Sequence, residues 1–414
     1  MDDSCWYSDA ECKTKYDFAT PVTADITLHA KWKENSSAGG NGGGYVGGGS
    51  SSSSNKTESS TTTTVTPSGS TVKVETETKT ESDGTKVETE TTTTTTTTGE
   101  TTKVETTTET KTDGTVVETT TTTDSKGDTT IVEKTTETND EGTKVETTVT
   151  TDAQGETATT VTATLDNGSA VTNNDEAVKV EVTKVEEAVV TKVEEAVAAD
   201  ETVEVVGTAD NAVSVSATST STGAAQSNFV QPMSVNVPVD KAVLDNVTDT
   251  SKLTMAKVVT NEDGTTELVY MGGSYDKETG TFNAKVDEDG DYILVEKADL
   301  VKIELTIDDT TVKHNDNHHE MDVAPKINAE EGRTELPLRY LGEALGFGID
   351  WNNNVVTITK GDISFDLTIG KEIPGFGTPY IDSDRTMVSA RYISEMLGAN
   401  VIWDPVDRQV IVVK

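Results

Sequence analysis

The densest chemistry in this chain stands in HNDNHHE at 314–320. His314 and His318 lie four apart, a spacing that shares one helix face, and His319, Asp316 and Glu320 add donors suited to a transition metal. The stretch falls between strand-like KIELTID and apolar VAPKI, which favours a solvated hairpin loop and leaves His314, His318 and His319 as weak metal candidates. DEDGDY at 287–292 opens like a calcium loop, yet the glutamate such a loop needs is replaced by Ala298, so a tight turn is expected. Arg339–Glu343 and Arg391–Glu395 are i, i+4 pairs with arginine first, the weaker order on a helix; their duplication points to architecture. Trp351 and Trp403 read as core, with sugar stacking as the alternative. No Ser/His/Asp order, phosphate loop, CxxC or HExxH occurs, so no catalytic residue and no cofactor is predicted.

These residues sit in two related stretches. RTELPLRYLGEALGFGIDW begins at Arg333, and RTMVSARYISEMLGANVIW begins at Arg385. In the first, Pro337 suits a first helical turn and Leu338, Leu341 and Leu345 form a stripe ended by Gly346. In the second, Ser389 is an N-cap, Ile393, Met396 and Leu397 form the stripe, and Gly398 ends it. Each glycine is followed by an alternating strand that reaches a tryptophan, then a turn and a return strand. The expectation is two strand–helix–hairpin halves, each hiding the other's apolar face.

On these residues, about 300–414 resembles the copper amine oxidase N-terminal-like domain of bacterial surface proteins. The first half matches at Gly332-Arg333-Thr334, Leu336-Pro337-Leu338-Arg339, Glu343, Leu345-Gly346 and Trp351. The second matches at Arg385-Thr386, Val388, Arg391, Glu395, Leu397-Gly398 and Trp403-Asp404. Ser389-Ala390 for Pro-Leu and Asn352 for Asp depart from the pattern. The resemblance implies an accessory domain. An amine oxidase needs a tyrosine in an Asn-Tyr context and three copper-binding histidines; no tyrosine here follows asparagine, and the chain has 4 histidines.

Upstream the composition changes. Only 32% of residues are hydrophobic, and none between Val46 and Asn228 is aromatic; compact cores are therefore expected near the termini and in 229–300. Glycines at 69, 84, 99, 114, 127, 142, 155 and 168 punctuate Thr/Glu runs, most of them after turn residues. Val87, Val117 and Val145 lie three places after a glycine and Val74, Val104 and Val132 five, so one pleat face is expected to collect them. The rival is a loosely extended chain, because so few aliphatics offset little ordering entropy. Ile26, Leu28, Ala30 and Trp32 alternate as a strand. With Trp6-Tyr7, Asp17-Phe18 and Pro21-Val22, they resemble the back half of a Listeria–Bacteroides repeat, a β-grasp-like module whose missing front half implies truncation. Cys5 and Cys12 either bridge or stay reduced.

The fold class expected is mainly β and multidomain: a Thr-rich extended β-meander or disordered stalk, a small β-sandwich and a C-terminal α+β domain. The expected division is 1–33 partial repeat, 34–60 Gly/Ser linker, 61–175 stalk, 176–228 linker region with a short helix, 229–300 β module and 301–414 C-terminal domain. A net charge of −40 opposes nucleic acid, and no apolar run spans a membrane. The function expected is a non-enzymatic, exported cell-surface protein, extracellular, whose partner is a cell-wall polymer or a surface protein or glycan. The alternative is a non-catalytic fragment of a larger secreted enzyme.

Overall fold

The computed structural model describes residues 6–7, 26–30, 56–139, 142–198 and 200–414. Cys5, Cys12 and most of the Gly/Ser segment lie outside the described residues, as does most of the proposed N-terminal repeat. The expected strand is present over Ile26–Ala30, and Trp6–Tyr7 pairs with it. The chain is mainly β and divides into two compact units, Met1–Val161 and Thr162–Lys414.

In the first unit the Thr/Glu segment is an ordered antiparallel meander. Its strands are Lys56–Val65, Thr71–Thr80, Lys86–Thr95, Thr101–Thr110, Val116–Thr123, Thr129–Thr138 and Lys144–Thr151. Every hairpin uses the same five-residue connection. At the first, Thr66 donates to the Ser70 carbonyl and Gly69 donates back to the Thr66 carbonyl, with Gly69 at φ 84°. This is a type I turn closed by a left-handed glycine bulge. Strands of 10 or 8 residues plus this connection generate the odd spacings of the glycines.

Odd spacing overturns the expectation of one apolar face. Direct partners across the strands share parity, as in Val74↔Thr92, Thr92↔Val104 and Val87↔Glu109. Val74, Val104 and Val132 therefore lie on one face, and Val87, Val117 and Val145 on the other. The same arithmetic separates the charges. Strand glutamates are odd-numbered on one strand (Glu75, Glu77), even on the next (Glu88, Glu90), and odd again (Glu105, Glu109). Neighbouring strands thus present their carboxylates to opposite faces, and each direct partner is Thr, Ser, Val or Lys. Like charges directly opposite one another would destabilise the sheet, so a strongly acidic single layer is tolerated because its repeat is odd. Lysines two residues before a glutamate add same-face ion pairs, such as Lys103–Glu105 at 2.6 Å. Thr91 is flanked directly by Glu75 and Glu105. Thr91→Glu is expected to cost about 0.5–2 kcal/mol, summing two pairs, and to be partly rescued by salt. Thr92→Glu, flanked by Val74 and Val104, should show little salt rescue; thermal melts at two ionic strengths compare them.

The second unit contains a β module and the C-terminal domain. One sheet of the module holds Ala170–Asn173, Asn228–Pro238, Thr281–Glu288 and Ser274–Asp276 in that spatial order. The other orders Val178–Thr183, Ala212–Ser219, Gly290–Lys297, Leu253–Thr260 and Thr266–Gly272, with Val203–Val205 added beside Gly290–Lys297. Residues 176–228, read as a linker, supply three of these strands and helix α1 (Glu187–Val197). Val190 and Val193 of α1 pack with Ala212, Ala256, Ile293 and Val295, so a segment without aromatics still covers a sheet. Of the four large side chains expected inside this module, Phe282, Tyr292 and Leu294 are buried, whereas Tyr270 is only half-buried. A one-turn helix, α2 (Lys241–Leu244), follows the first sheet's long strand.

The C-terminal halves form as expected. Strand Arg333–Pro337 leads into α3 (Leu338–Ala344) and the hairpin Gly348–Asn352/Val355–Lys360; Arg385–Ser389 leads into α4 (Ala390–Met396) and Asn400–Asp404/Gln409–Val413. Pro337 takes the N-cap position, and the Ser389 side chain accepts from the Tyr392 N–H. Gly346 and Gly398 stop the helices at φ 81° and 69°. Leu341, Leu345, Ile393 and Leu397 are buried in one cluster, whereas Met396 is exposed.

The halves are related by a pseudo-twofold. Equivalent residues Leu336 and Val388 pair directly, flanked by Glu335↔Ser389 and Pro337↔Met387. The four-stranded sheet is accordingly palindromic: Lys326–Asn328, Arg333–Pro337, Arg385–Ser389, Tyr380–Asp382. Each hairpin gains a third strand from the segment ahead of the other half. Lys302–Thr306, which precedes the first half, joins the second half's hairpin through Gln409–Val413. Ile363–Thr368, which precedes the second half, joins the first half's hairpin through Val355–Lys360.

Candidate functional site

The histidine stretch is a β-hairpin, Thr311–His314 against Asn317–Glu320, turning on Asn315 and Asp316 at positive φ. Because Val312 faces His319 and His314 faces Asn317, His314 and His319 share one face and His318 takes the other. The His314 and His319 rings lie 5.8 Å apart, and burial together with His319 lowers the His314 pKa. Among the described residues, no group of three or more His, Cys, Asp or Glu is placed to hold a metal ion. The i, i+4 helix reading does not apply, since the backbone there is strand.

The pseudo-twofold builds two equivalent clefts, each from both halves. The first, of about 700 Å³, takes Ala390, Arg391, Val401, Trp403 and Val410 from the second half and Ile327, Arg333 and Thr334 from the first. The second, of about 490 Å³, takes Leu338, Arg339, Ile349, Trp351 and Val356 from the first half and Ile381, Arg385 and Thr386 from the second. Position by position the linings correspond: a tryptophan on an edge strand, an arginine in the first turn of a helix, and a second arginine from the other half's strand. Trp351 is 46% exposed and Trp403 half-buried, so the core reading fails for Trp351. The cause is tertiary, because Gly348–Asn352 is an edge strand with its tryptophan turned toward the cleft.

The arginines are held by carbonyls and carboxylates. Arg333 lies 3.4 Å from Glu331, and its Nη1 donates to the Gly375 carbonyl. Arg385 pairs with Asp322 and donates to the Asp384 carbonyl. Arg339 lies 3.6 Å from Glu343, both exposed. The larger cleft also holds Phe376, whose ring packs 5.1 Å from Tyr392. Among these arginines the carbonyl bonds belong to Arg333 and Arg385.

One acidic residue outside the two clefts ties the domain to the β module. Asp404, 2% exposed, meets Lys285 at 3.0 Å and accepts from the Val406 and Asp407 N–H groups. Asn352, its counterpart, is exposed and meets no such lysine, which accounts for the departure noted there. Asp287, beside Glu288 and Arg391 in a further cleft of about 510 Å³, has its carboxyl pushed up to about 6 by burial and by Glu288. A raised folded pKa stabilises below the unfolded value of about 3.9 and loses that contribution as pH rises through about 6. Asp287→Asn is therefore expected to leave stability unchanged near pH 4 and to raise it by up to roughly 3 kcal/mol at pH 7. Denaturant midpoints of both proteins across that range check the sign.

Residues 277–359 and 368–414 match the family model described as copper amine oxidase N-terminal domain. The matched part is a non-catalytic domain, and the match begins inside the β module, ahead of the pseudosymmetric pair. No curated protein and no solved structure matches the chain.

Proposed function

We propose that this chain is a non-enzymatic, exported bacterial cell-surface protein whose C-terminal domain binds a cell-wall polymer or surface glycan. The observation carrying this reading is the pair of corresponding clefts, each with an exposed or half-exposed tryptophan beside two arginines. Concave sites with an aromatic wall and a few fixed polar groups are built for recognition. The Thr-rich meander supports a spacer role, since its odd repeat keeps a long acidic sheet ordered without an apolar face to bury. The N-terminal segment, by its resemblance to a Listeria–Bacteroides repeat, fits an adhesive module. Retention of the full chain on purified peptidoglycan is the test. Binding that persists at high salt is expected, because a chain of net charge −40 gains nothing from attraction to an anionic wall. No retention at any ionic strength overturns the reading.

A further inference from the structure

We infer that the two clefts are twin subsites for an uncharged β-linked pyranose chain, one sugar face lying on Trp351 and another on Trp403. This rests on the surface-binding reading above and names its ligand. Three observations carry it.

The first is correspondence. The main lining positions correspond under the pseudo-twofold, with Trp351 for Trp403, Arg339 for Arg391, Arg385 for Arg333 and Ile381 for Ile327, while Phe376 and Glu395 line the larger of the two alone. Each cleft combines both halves, so neither exists in one half alone.

The second is the exposure of a large aromatic. Tryptophan on an edge strand gives up burial unless something covers it, and its flat apolar face with a polar rim suits a flat C–H surface. A β-1,4-linked pyranose with equatorial substituents presents that surface and directs its hydroxyls outward in the ring plane.

The third is charge. Arg333, Arg339 and Arg385 already face Glu331, Glu343 and Asp322, and Glu395 lines the larger cleft beside Arg391. Matched guanidinium and carboxylate groups offer donors and acceptors side by side, which suits neighbouring hydroxyls. They leave no spare positive charge for an anionic ligand in a domain rich in Asp and Glu.

Calorimetric titration of the full chain with chitotriose, an uncharged β-1,4-linked N-acetylglucosamine trimer, tests this. Two equivalents per chain are expected. Trp351→Ala should abolish one equivalent, and Arg391→Ala should weaken the other by about tenfold or more. Trp351→Phe, which keeps an aromatic face, should retain both, and this separates stacking from loss of fold. Absence of binding, a single equivalent, two unchanged equivalents in both alanine variants, or tighter binding of trigalacturonate than of chitotriose would overturn the inference. Retention on peptidoglycan without chitotriose binding defeats this assignment alone; loss of both defeats the surface-binding reading too.

Discussion

Leu341→Ala and Ile393→Ala are each expected to destabilise the whole C-terminal domain by about 3–4 kcal/mol, with one shared unfolding transition. The two residues occupy equivalent positions on α3 and α4, are 1% and 0% exposed, and belong to one cluster that draws on both halves. Deleting three buried heavy atoms removes their transfer free energy and leaves a cavity that close-packed neighbours fill only in part. Because the strand ahead of each half pairs with the other half's hairpin, loosening α3 also loosens the sheet that holds Ile363–Thr368, and loosening α4 the sheet that holds Lys302–Thr306. Two independent transitions, one moved by each variant, would refute mutual shielding. Met396→Ala, at an exposed position of the same helix, should cost less than about 1 kcal/mol.

Asp404→Ala should cost about 3 kcal/mol, the second large effect. The change strips Lys285 of its closest carboxylate and leaves the Val406 and Asp407 N–H groups without their acceptor. Lys285 is partly exposed and regains water, which keeps the loss at the lower end for a broken buried pair. Asp404→Asn retains an acceptor for the two N–H groups and should lose about half as much. Burial opposes ionisation of this carboxyl, but Lys285 and the Asp407 N–H outweigh it and hold the pKa below its ordinary value. A depressed folded pKa stabilises above the unfolded value, and that contribution disappears as pH falls through the folded one. The gap between wild type and Asp404→Asn should therefore narrow on acidification below about pH 4 and stay constant above it. Urea midpoints between pH 3 and 7 measure it; a gap that widens in acid would contradict the assigned role.

Much of the architecture was legible because it was written twice or many times. The duplicated arginine-to-tryptophan stretch specified two strand–helix–hairpin halves, since apolar spacing of three and four fixes a helix stripe and glycine at positive φ ends it. Recurrent glycines pointed to a meander but left a loosely extended chain as the rival, which the paired strands decide against. The face assignment of Val74 and Val87 was misread because offsets from the nearest glycine ignore the parity of that glycine; pairing across strands supplies the missing sign. The segment 176–228 looked like a linker because Val, Ala and Thr carry little apolar bulk, yet Val203–Val205 and Ala212–Ser219 both pair with the distant Gly290–Lys297, and Val178–Thr183 adds to them.

The amino-acid order alone determined local periodicity, turn positions and the existence of two similar halves, all of which follow from neighbours within a few residues. Only the tertiary structure decided that Lys302–Thr306 joins the second half's hairpin, that Trp351 faces a cleft instead of a core, and that Asp404 and not Asn352 meets a lysine. Those outcomes depend on contacts between residues tens to more than a hundred positions apart, and no local pattern encodes which distant surface arrives.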